Sequence, residues 1–356
     1  MASSTTSTPS TLLLTLLVIF LTTFSSPAFA QLSVSYYGST CPTVFKTVRA
    51  ATRSAINKET RMGASILRLF FHDCFVGGCD GGILLSGGER NAPASRDTAR
   101  GFNVIDNIKR QVDTACGGSV VSCADILAIS ARDSIVKVIH SDATYIVSNY
   151  PYAYAPLVLL LITYHQFLLL ISQLGGKSYS VPLGRRDTRT SNLDAARSDL
   201  PSPFDPLNVL IDKFSRKGFN AKEMVALSGA HTVGKAQCSS FRDRIYNNTN
   251  IDPDFAATRR ASCPRIGGDR NLAPLHPQKR ARFCNNHFQA LVNRKGLLSS
   301  DQALFNGGST DSIVRTYSKD ANAFLTDFAN AMVKMGNLSP LTGNQGEIRT
   351  TCQRVN

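Results

Sequence analysis

Apolar residues recur three and four positions apart along much of the chain. Val44, Val48, Ala51 and Ala55 form one such set, and Phe102, Ile105, Ile108 and Val112 another. Leu207, Leu210, Ile211 and Phe214 repeat the pattern, as do Phe324, Phe328, Met332 and Met335 near the C-terminus. This spacing gathers side chains on one helical face and predicts amphipathic helices with one buried stripe each. Alternating strand patterns are few. Turn chemistry separates the periodic segments, as at Asn91-Ala92-Pro93 and Pro201-Ser202-Pro203. The expected class is all-α, without internal repeats.

Two stretches break the pattern. Residues 1–30 carry no Lys, Arg, Asp or Glu, Leu12 to Leu21 is apolar, and Ala28-Phe29-Ala30 follows. An apolar core before a small-x-small site reads as a cleaved secretory signal, although its start lacks the usual positive charge. Gln31 then begins the mature chain, and a disordered tail is the plainer alternative. The second stretch, Val138 to Gln173, holds one formal charge, Asp142, and a dense apolar run from Ala155 to Ile171. A membrane helix needs about 20 apolar residues. This run is shorter and interrupted by His165 and Gln166, so no stable span is expected, with a membrane-tethered form as the alternative.

Composition adds to this picture. The 43% hydrophobic content supports a large core, as one domain or two lobes over residues 31–356. Nine cysteines in a secreted chain predict disulfides, with one thiol left over or paired outside the chain. Asn247-Asn248-Thr249 and Asn337-Leu338-Ser339 are glycosylation sequons. The net charge of +14 favours acidic polysaccharide or other anionic surfaces, or simply serves solubility. No basic block with interleaved aromatics appears, which argues against nucleic acid.

Chemistry concentrates in "RLFFHDCFVGGCDGG", residues 68–82. Arg68 and His72 are four apart and share a helical face. A neutral imidazole can shuttle a proton, and a guanidinium beside it can stabilise developing negative charge. For such a pair taken alone, a surface arginine and a satisfied buried histidine is the plainer reading. Asp73, Val76, Gly78 and Asp80 offer carboxylates and carbonyls within eight residues, a set suited to calcium. An acidic turn is the simpler reading, and Cys74 and Cys79 could close the loop. In "ALSGAHTVGKAQC", residues 226–238, small neighbours around His231 would let a flat cofactor approach, making His231 a candidate axial ligand. A core histidine is the alternative there.

Together these stretches resemble the secreted plant (class III) haem peroxidases. The resemblance runs from Gln31 to the C-terminus outside the insertion. It is carried by "ASILRLFFHDCFVGGCD", "ARGFNVID", "VSCADILAISARDS", "VPLGRRD", "LPSPF", "MVALSGAHTVGKAQC", "KGLLSSDQALF" and "MGNLSPLTGNQGEIRTTC". It implies a two-lobed all-α haem peroxidase fold with haem b between distal and proximal lobes. His72 would be the distal acid/base, Arg68 the distal charge stabiliser, His231 the axial iron ligand and Asp301 its carboxylate partner. Pro201 would line the aromatic-substrate access. Asp73, Val76, Gly78 and Asp80 would hold a distal calcium. The implied disulfides are Cys41–Cys116, Cys74–Cys79, Cys123–Cys352 and Cys238–Cys263. The implied activity is hydrogen-peroxide-dependent one-electron oxidation of small phenolic donors through ferryl haem, by a monomer in the cell wall, extracellular space or vacuole. A weakly active wall-binding protein on the same fold is the alternative.

Four departures from the family qualify this. Gly82 stands where a serine hydroxyl usually ligates the distal calcium, so weaker binding is expected, with Glu89 supporting the site through water. Ser95 replaces an asparagine that usually bonds the distal histidine, and its shorter side chain is expected to fall short. In "LHPQKRARFCNNHF", residues 275–288, His276, Lys279 and Cys284 replace expected proximal calcium ligands, leaving Thr232 of the side-chain set. Lys279, Arg280 and Arg282 would repel a dication, so the proximal ion is expected to be weak or absent, and Cys284 is the odd cysteine. Removing Val138–Gln173 restores the family's run, and its first and last codons can match intron borders. We read it as a translated intron, which sequencing of spliced transcripts would decide.

Overall fold

The computed structural model describes residues 32–148, with side chains to Ile135, and residues 178–276 and 283–356. The expected leader (Met1–Ala30), the insertion Val138–Gln173 beyond a helical backbone to Ser148, and Lys279, Arg280 and Arg282 lie outside the described residues.

The predicted helices form where the periodicity places them. Helix α1 (Val44–Lys58) buries Val44, Val48, Ala51 and Ile56. Helix α2 (Met62–Phe75) is buried nearly all round. Its half-buried positions Ala64, Arg68 and Phe71 follow the i, i+4, i+7 spacing of one face. Helix α3 (Phe102–Cys116) buries Ile105, Ile108 and Val112, and α4 (Cys123–Ser148) packs closely against α1 and α2. The start of α4 is capped from a distant loop. The Asp187 carboxylate accepts the backbone N–H groups of Cys123 (3.1 Å) and Ala124 (2.9 Å), satisfying donors a helix leaves open.

The second half begins with α5 (Leu193–Asp199), α6 (Leu207–Arg216) and α7 (Ala221–Ser228). A capping box between Asn220 and Glu223 starts α7, and a tight 3-10 turn, Gly229–Thr232, continues it. Strand β1 (Lys235–Gln237) pairs antiparallel with β2 (Leu272–Pro274), Ala236 opposite Ala273. Between them lie α8 (Arg242–Asn247) and α9 (Pro253–Arg260), which with Leu297 and Leu298 form a small separate core. Then follow α10 (Asn286–Val292), α11 (Ser299–Ala303), α12 (Asp311–Lys319) and α13 (Ala321–Gly336). Helix α13 buries Phe324, Phe328, Met332 and Met335, the stripe read from the sequence.

Four disulfides join Cys41 to Cys116, Cys74 to Cys79, Cys123 to Cys352 and Cys238 to Cys263. The Cys123–Cys352 bond ties the C-terminus to the start of α4, and the Arg349 guanidinium, which donates to Gly81 O at 2.6 Å, ties it to the loop after α2. A buried Arg185–Asp125 pair at 2.7 Å fixes another loop under α4. No helix among the described residues is long and apolar enough to cross a membrane.

Candidate functional site

One cavity of about 440 Å³ opens between two walls. The first wall is α2 and the loop after it. Ala64, Arg68, Phe71 and His72 reach the cavity from α2, with Pro93, Ala94 and Thr98 beside them. Arg68 is tethered by donating to Ala94 O (2.6 Å), Thr98 Oγ1 (2.9 Å) and Thr98 O (3.3 Å). Its Nε also donates to His72 Nε2 at 3.2 Å, which shows that Nε2 carries the lone pair. The Nδ1–H then points to Ser95 Oγ, 3.0 Å away. Ser95 is therefore long enough, contrary to the sequence expectation, with its own backbone N–H held by Ala92 O at 2.8 Å.

Burial, and then the Arg68 charge, hold the His72 imidazole well below its ordinary pKa, so the ring is neutral. Burial also lowers Arg68, to about 10, which leaves it charged at neutral pH. The pair is thus a neutral base beside a fixed cation.

The facing wall is built from the turn after α7 and from α13. Ser228, Ala230, His231 and Gly234 line the cavity, with Phe328, Met332 and Met335 behind them. His231 Nδ1 lies 2.7 Å from Asp301 Oδ1, whose other oxygen accepts the Leu298 N–H at 3.2 Å. Burial alone would pull the His231 pKa down and push Asp301 up. The contact between them outweighs burial in both, raising His231 and lowering Asp301. The acceptor fixes the proton on Nδ1 and leaves Nε2 directed elsewhere. The His231 side chain is 40% exposed, and that exposure faces the cavity.

Small residues here have two different jobs. Gly229 does not face the cavity, as the sequence reading implied for it. A Cβ there would run into Phe324 and Phe288, so this glycine serves packing behind the turn. Ser228, Ala230 and Gly234 do line the opening. Pro201 lies on the cavity wall with Ser202 and Pro203.

A sequence profile of the family described as Peroxidase matches residues 48–320. Among similar proteins, Peroxidase 4 of Vitis vinifera is 49% identical over 94% of each chain. Peroxidase 22.3 of Oryza sativa subsp. japonica is 48% identical over 100% of each. The Lignin-forming anionic peroxidase of Nicotiana sylvestris is 49% identical over 92% of each. The chain belongs to the peroxidase family.

The cavity fits the haem that this family implies. Its two walls present flat apolar side chains, and an imidazole with one nitrogen committed aims the other inward. Arg61, Ser65 and Gln237 add polar groups to the lining. Arg61 makes no ion pair among the described residues, so its guanidinium is available to a carboxylate such as those of protoporphyrin.

The loop after α2 fits a calcium ion. Asp73 Oδ1 and Glu89 Oε2 are buried with no hydrogen-bond partner, an arrangement that a cation would relieve. Burial, then neighbouring carboxylates, raise Asp73 well above its ordinary value, and burial raises Asp80 to about 7 and Glu89 to about 8. No N–H or O–H among the described residues donates to the carbonyls of Val76 or Gly78. Among the described residues no three Asp, Glu, His or Cys side chains are gathered as a metal-ligand set, so an ion here would have to draw on backbone carbonyls as well. Gly82 has its own role. A Cβ there would stand 2.5 Å from Glu89 Oε1 and 3.1 Å from Asp80 Oδ1. Glu89, braced by Asn192 N–H at 3.2 Å, fills the space a residue 82 side chain would need.

The proximal calcium does not fit. Thr232 Oγ1 lies 3.9 Å from the Cys284 thiol, and His276 Nε2 donates to Asn286 O at 3.1 Å. A thiol and a donating imidazole are poor partners for a hard dication.

Sequence reasoning missed His287. It is 2% exposed, and its ring stands perpendicular to that of His231, with centroids 6.1 Å apart. A histidine within the run Phe283 to Phe288, otherwise headed for an aromatic core, was the available signal. It also missed the bracing of Glu89 by Ser191 and Asn192, which are 102 and 103 positions away.

Proposed function

We propose that this chain reduces hydrogen peroxide and oxidises small phenolic donors, with His231 as the iron ligand of a haem b held in the cavity. Bound there, haem supplies the redox-active iron and stores the oxidising equivalents. With haem bound, His72 Nε2 would take a proton from one peroxide oxygen and return it to the other, so that the leaving group departs as water. Arg68, anchored by three acceptors, offers N–H groups to the negative charge that grows as the O–O bond breaks. Asp301 holds the Nδ1 proton of His231, which makes the imidazole a stronger electron donor and keeps Nε2 aimed at the cavity. Two phenols each give up one electron and one proton near Pro201, so one peroxide and two phenols yield two waters and two phenoxyl radicals.

The observation that carries this reading is the opposition of Arg68–His72 and His231–Asp301 across one cavity. A donor of the lignin-precursor class is in keeping with the Nicotiana relative, a lignin-forming peroxidase by name. The distal calcium is assigned to Asp73, Val76, Gly78, Asp80 and the Gly82 segment, with Glu89 alongside. Export from the cell, with Met1–Ala30 as the cleaved leader and residues 31–356 as one peroxidase domain, belongs to the same proposal. The charge of +14 supports acidic wall polysaccharide as a surface partner.

The test is reconstitution of purified chain with haem, followed by peroxide-dependent guaiacol oxidation. Wild type should develop a Soret band and turn over, and H72A should slow the peroxide reaction by about 10²–10⁴-fold. Failure to bind haem, or an H231A spectrum identical to wild type, would overturn it.

A further inference from the structure

We propose that Thr98 is a positioning residue for the distal arginine: its hydroxyl, together with its own carbonyl, holds the Arg68 guanidinium beside His72 and so sets how well negative charge in the cavity is met. This inference rests on the assignment of Arg68 as the charge-stabilising group.

A guanidinium has five N–H groups and no acceptor. In Arg68 four of them find partners among the described residues. Nε–H goes to His72 Nε2 at 3.2 Å and one Nη1–H to Thr98 O at 3.3 Å. The two Nη2–H groups go to Ala94 O at 2.6 Å and Thr98 Oγ1 at 2.9 Å. Thr98 thus grips both terminal nitrogens of the fork, which opposes rotation of the planar group. One Nη1–H is left for an anion in the cavity.

The hydroxyl is arranged for this role. Arginine only donates, so Thr98 Oγ1 must accept from it. The hydroxyl's own hydrogen has Ala94 O and Ser95 O within reach, both at 3.2 Å, which leaves a lone pair for Nη2. The turn that carries Thr98 is itself tied down. The N–H groups of Thr98 and Ala99 donate to Ser95 O at 3.1 and 2.8 Å, and the Gln237 side-chain amide, on β1, donates to Asp97 O at 3.2 Å. Ser95, on the same turn, meets His72. One short turn therefore addresses both distal groups, Ser95 the imidazole and Thr98 the guanidinium. A Thr98 that only packed this turn could give way to valine, which has the same shape and no hydroxyl.

The test uses the haem-loaded full chain. It reads the dissociation constant of fluoride on the ferric protein, which needs no turnover, beside the second-order rate with peroxide. T98V should bind fluoride about 2–10-fold more weakly, the effect of one lost hydrogen bond, and its peroxide rate should fall by a similar factor. T98S keeps the hydroxyl and should match wild type in both. T98A carries the T98V expectation should the valine variant not fold. In an R68L background T98V should change the fluoride constant no further, because the hydroxyl acts through the guanidinium. T98V with wild-type fluoride affinity, or with the same loss in the R68L background, would overturn the inference. R68L that binds fluoride as tightly as wild type would instead sink the reading of Arg68 itself, so the two failures are distinguishable.

Discussion

Ser95 Oγ stands 3.0 Å from His72 Nδ1 and fixes which nitrogen of the distal imidazole carries the proton. The shorter side chain works because Ser95 is buried and its own N–H is tied to Ala92 O at 2.8 Å. Replacing it by alanine leaves Nδ1–H without its partner. A hydrogen bond of this kind contributes about 0.5–1.5 kcal/mol. S95A should therefore slow the peroxide reaction by up to about tenfold, measured as the second-order rate under stopped flow. An unchanged rate would show that orientation comes from packing alone.

The neutral state of His72 sets a pH dependence. Its pKa is depressed by burial and by Arg68, and the base is competent only when unprotonated. The peroxide reaction should stay flat well below the ordinary histidine value of 6.5, falling only in acid. R68L removes the second cause and should shift that acid limb to higher pH. Stability follows the same sign. A folded pKa below the unfolded one gives stability that is complete above the unfolded value and is lost as pH falls beneath it. Rate profiles and acid melts of wild type and R68L check both.

Calcium should bind at about one ion per chain, since among the described residues the loop after α2 has the matching chemistry and the surroundings of Thr232 do not. A measured stoichiometry near two would reject the reading of Thr232, His276 and Cys284. Within the distal loop G82S is informative. A serine hydroxyl would ordinarily add a ligand, but its Cβ would displace the Glu89 carboxylate. We expect weaker calcium binding in G82S by calorimetry, whereas tighter binding would show that Glu89 moves aside freely.

Removing the Asp301 carboxylate should make the iron easier to reduce. D301N cannot stabilise anionic character on His231, so the midpoint potential should rise. Loss of such an outer partner costs about 10–100-fold in metal-site function. Spectroelectrochemistry of D301N tests the sign, and its peroxide rate tests the size.

Gly229 offers a purely structural test. An added methyl would strike Phe324 and Phe288 in a packed core. G229A should cost about 1–3 kcal/mol of stability, seen as a lower denaturation midpoint. A neutral result would mean that the aromatic cluster repacks.

Much of this was legible along the chain. The stripes of α1, α3 and α13 were visible because helical burial repeats every three to four residues, a local property. Arg68 and His72 could be placed on one face for the same reason, and the ordered motifs carried the family. Whether Ser95 reaches His72, whether Gly82 makes room for Glu89, and which hydroxyl holds Arg68 were not legible. Those depend on distances between segments 23, 7 and 30 positions apart in sequence. Periodicity says which side of a helix is buried and is silent on what meets it there. The sequence by itself determined the helices, the cysteine set and the identity of the reactive side chains. Only the tertiary structure decided their separations, because a hydrogen bond or an overlap is settled within tenths of an ångström by packing from every side.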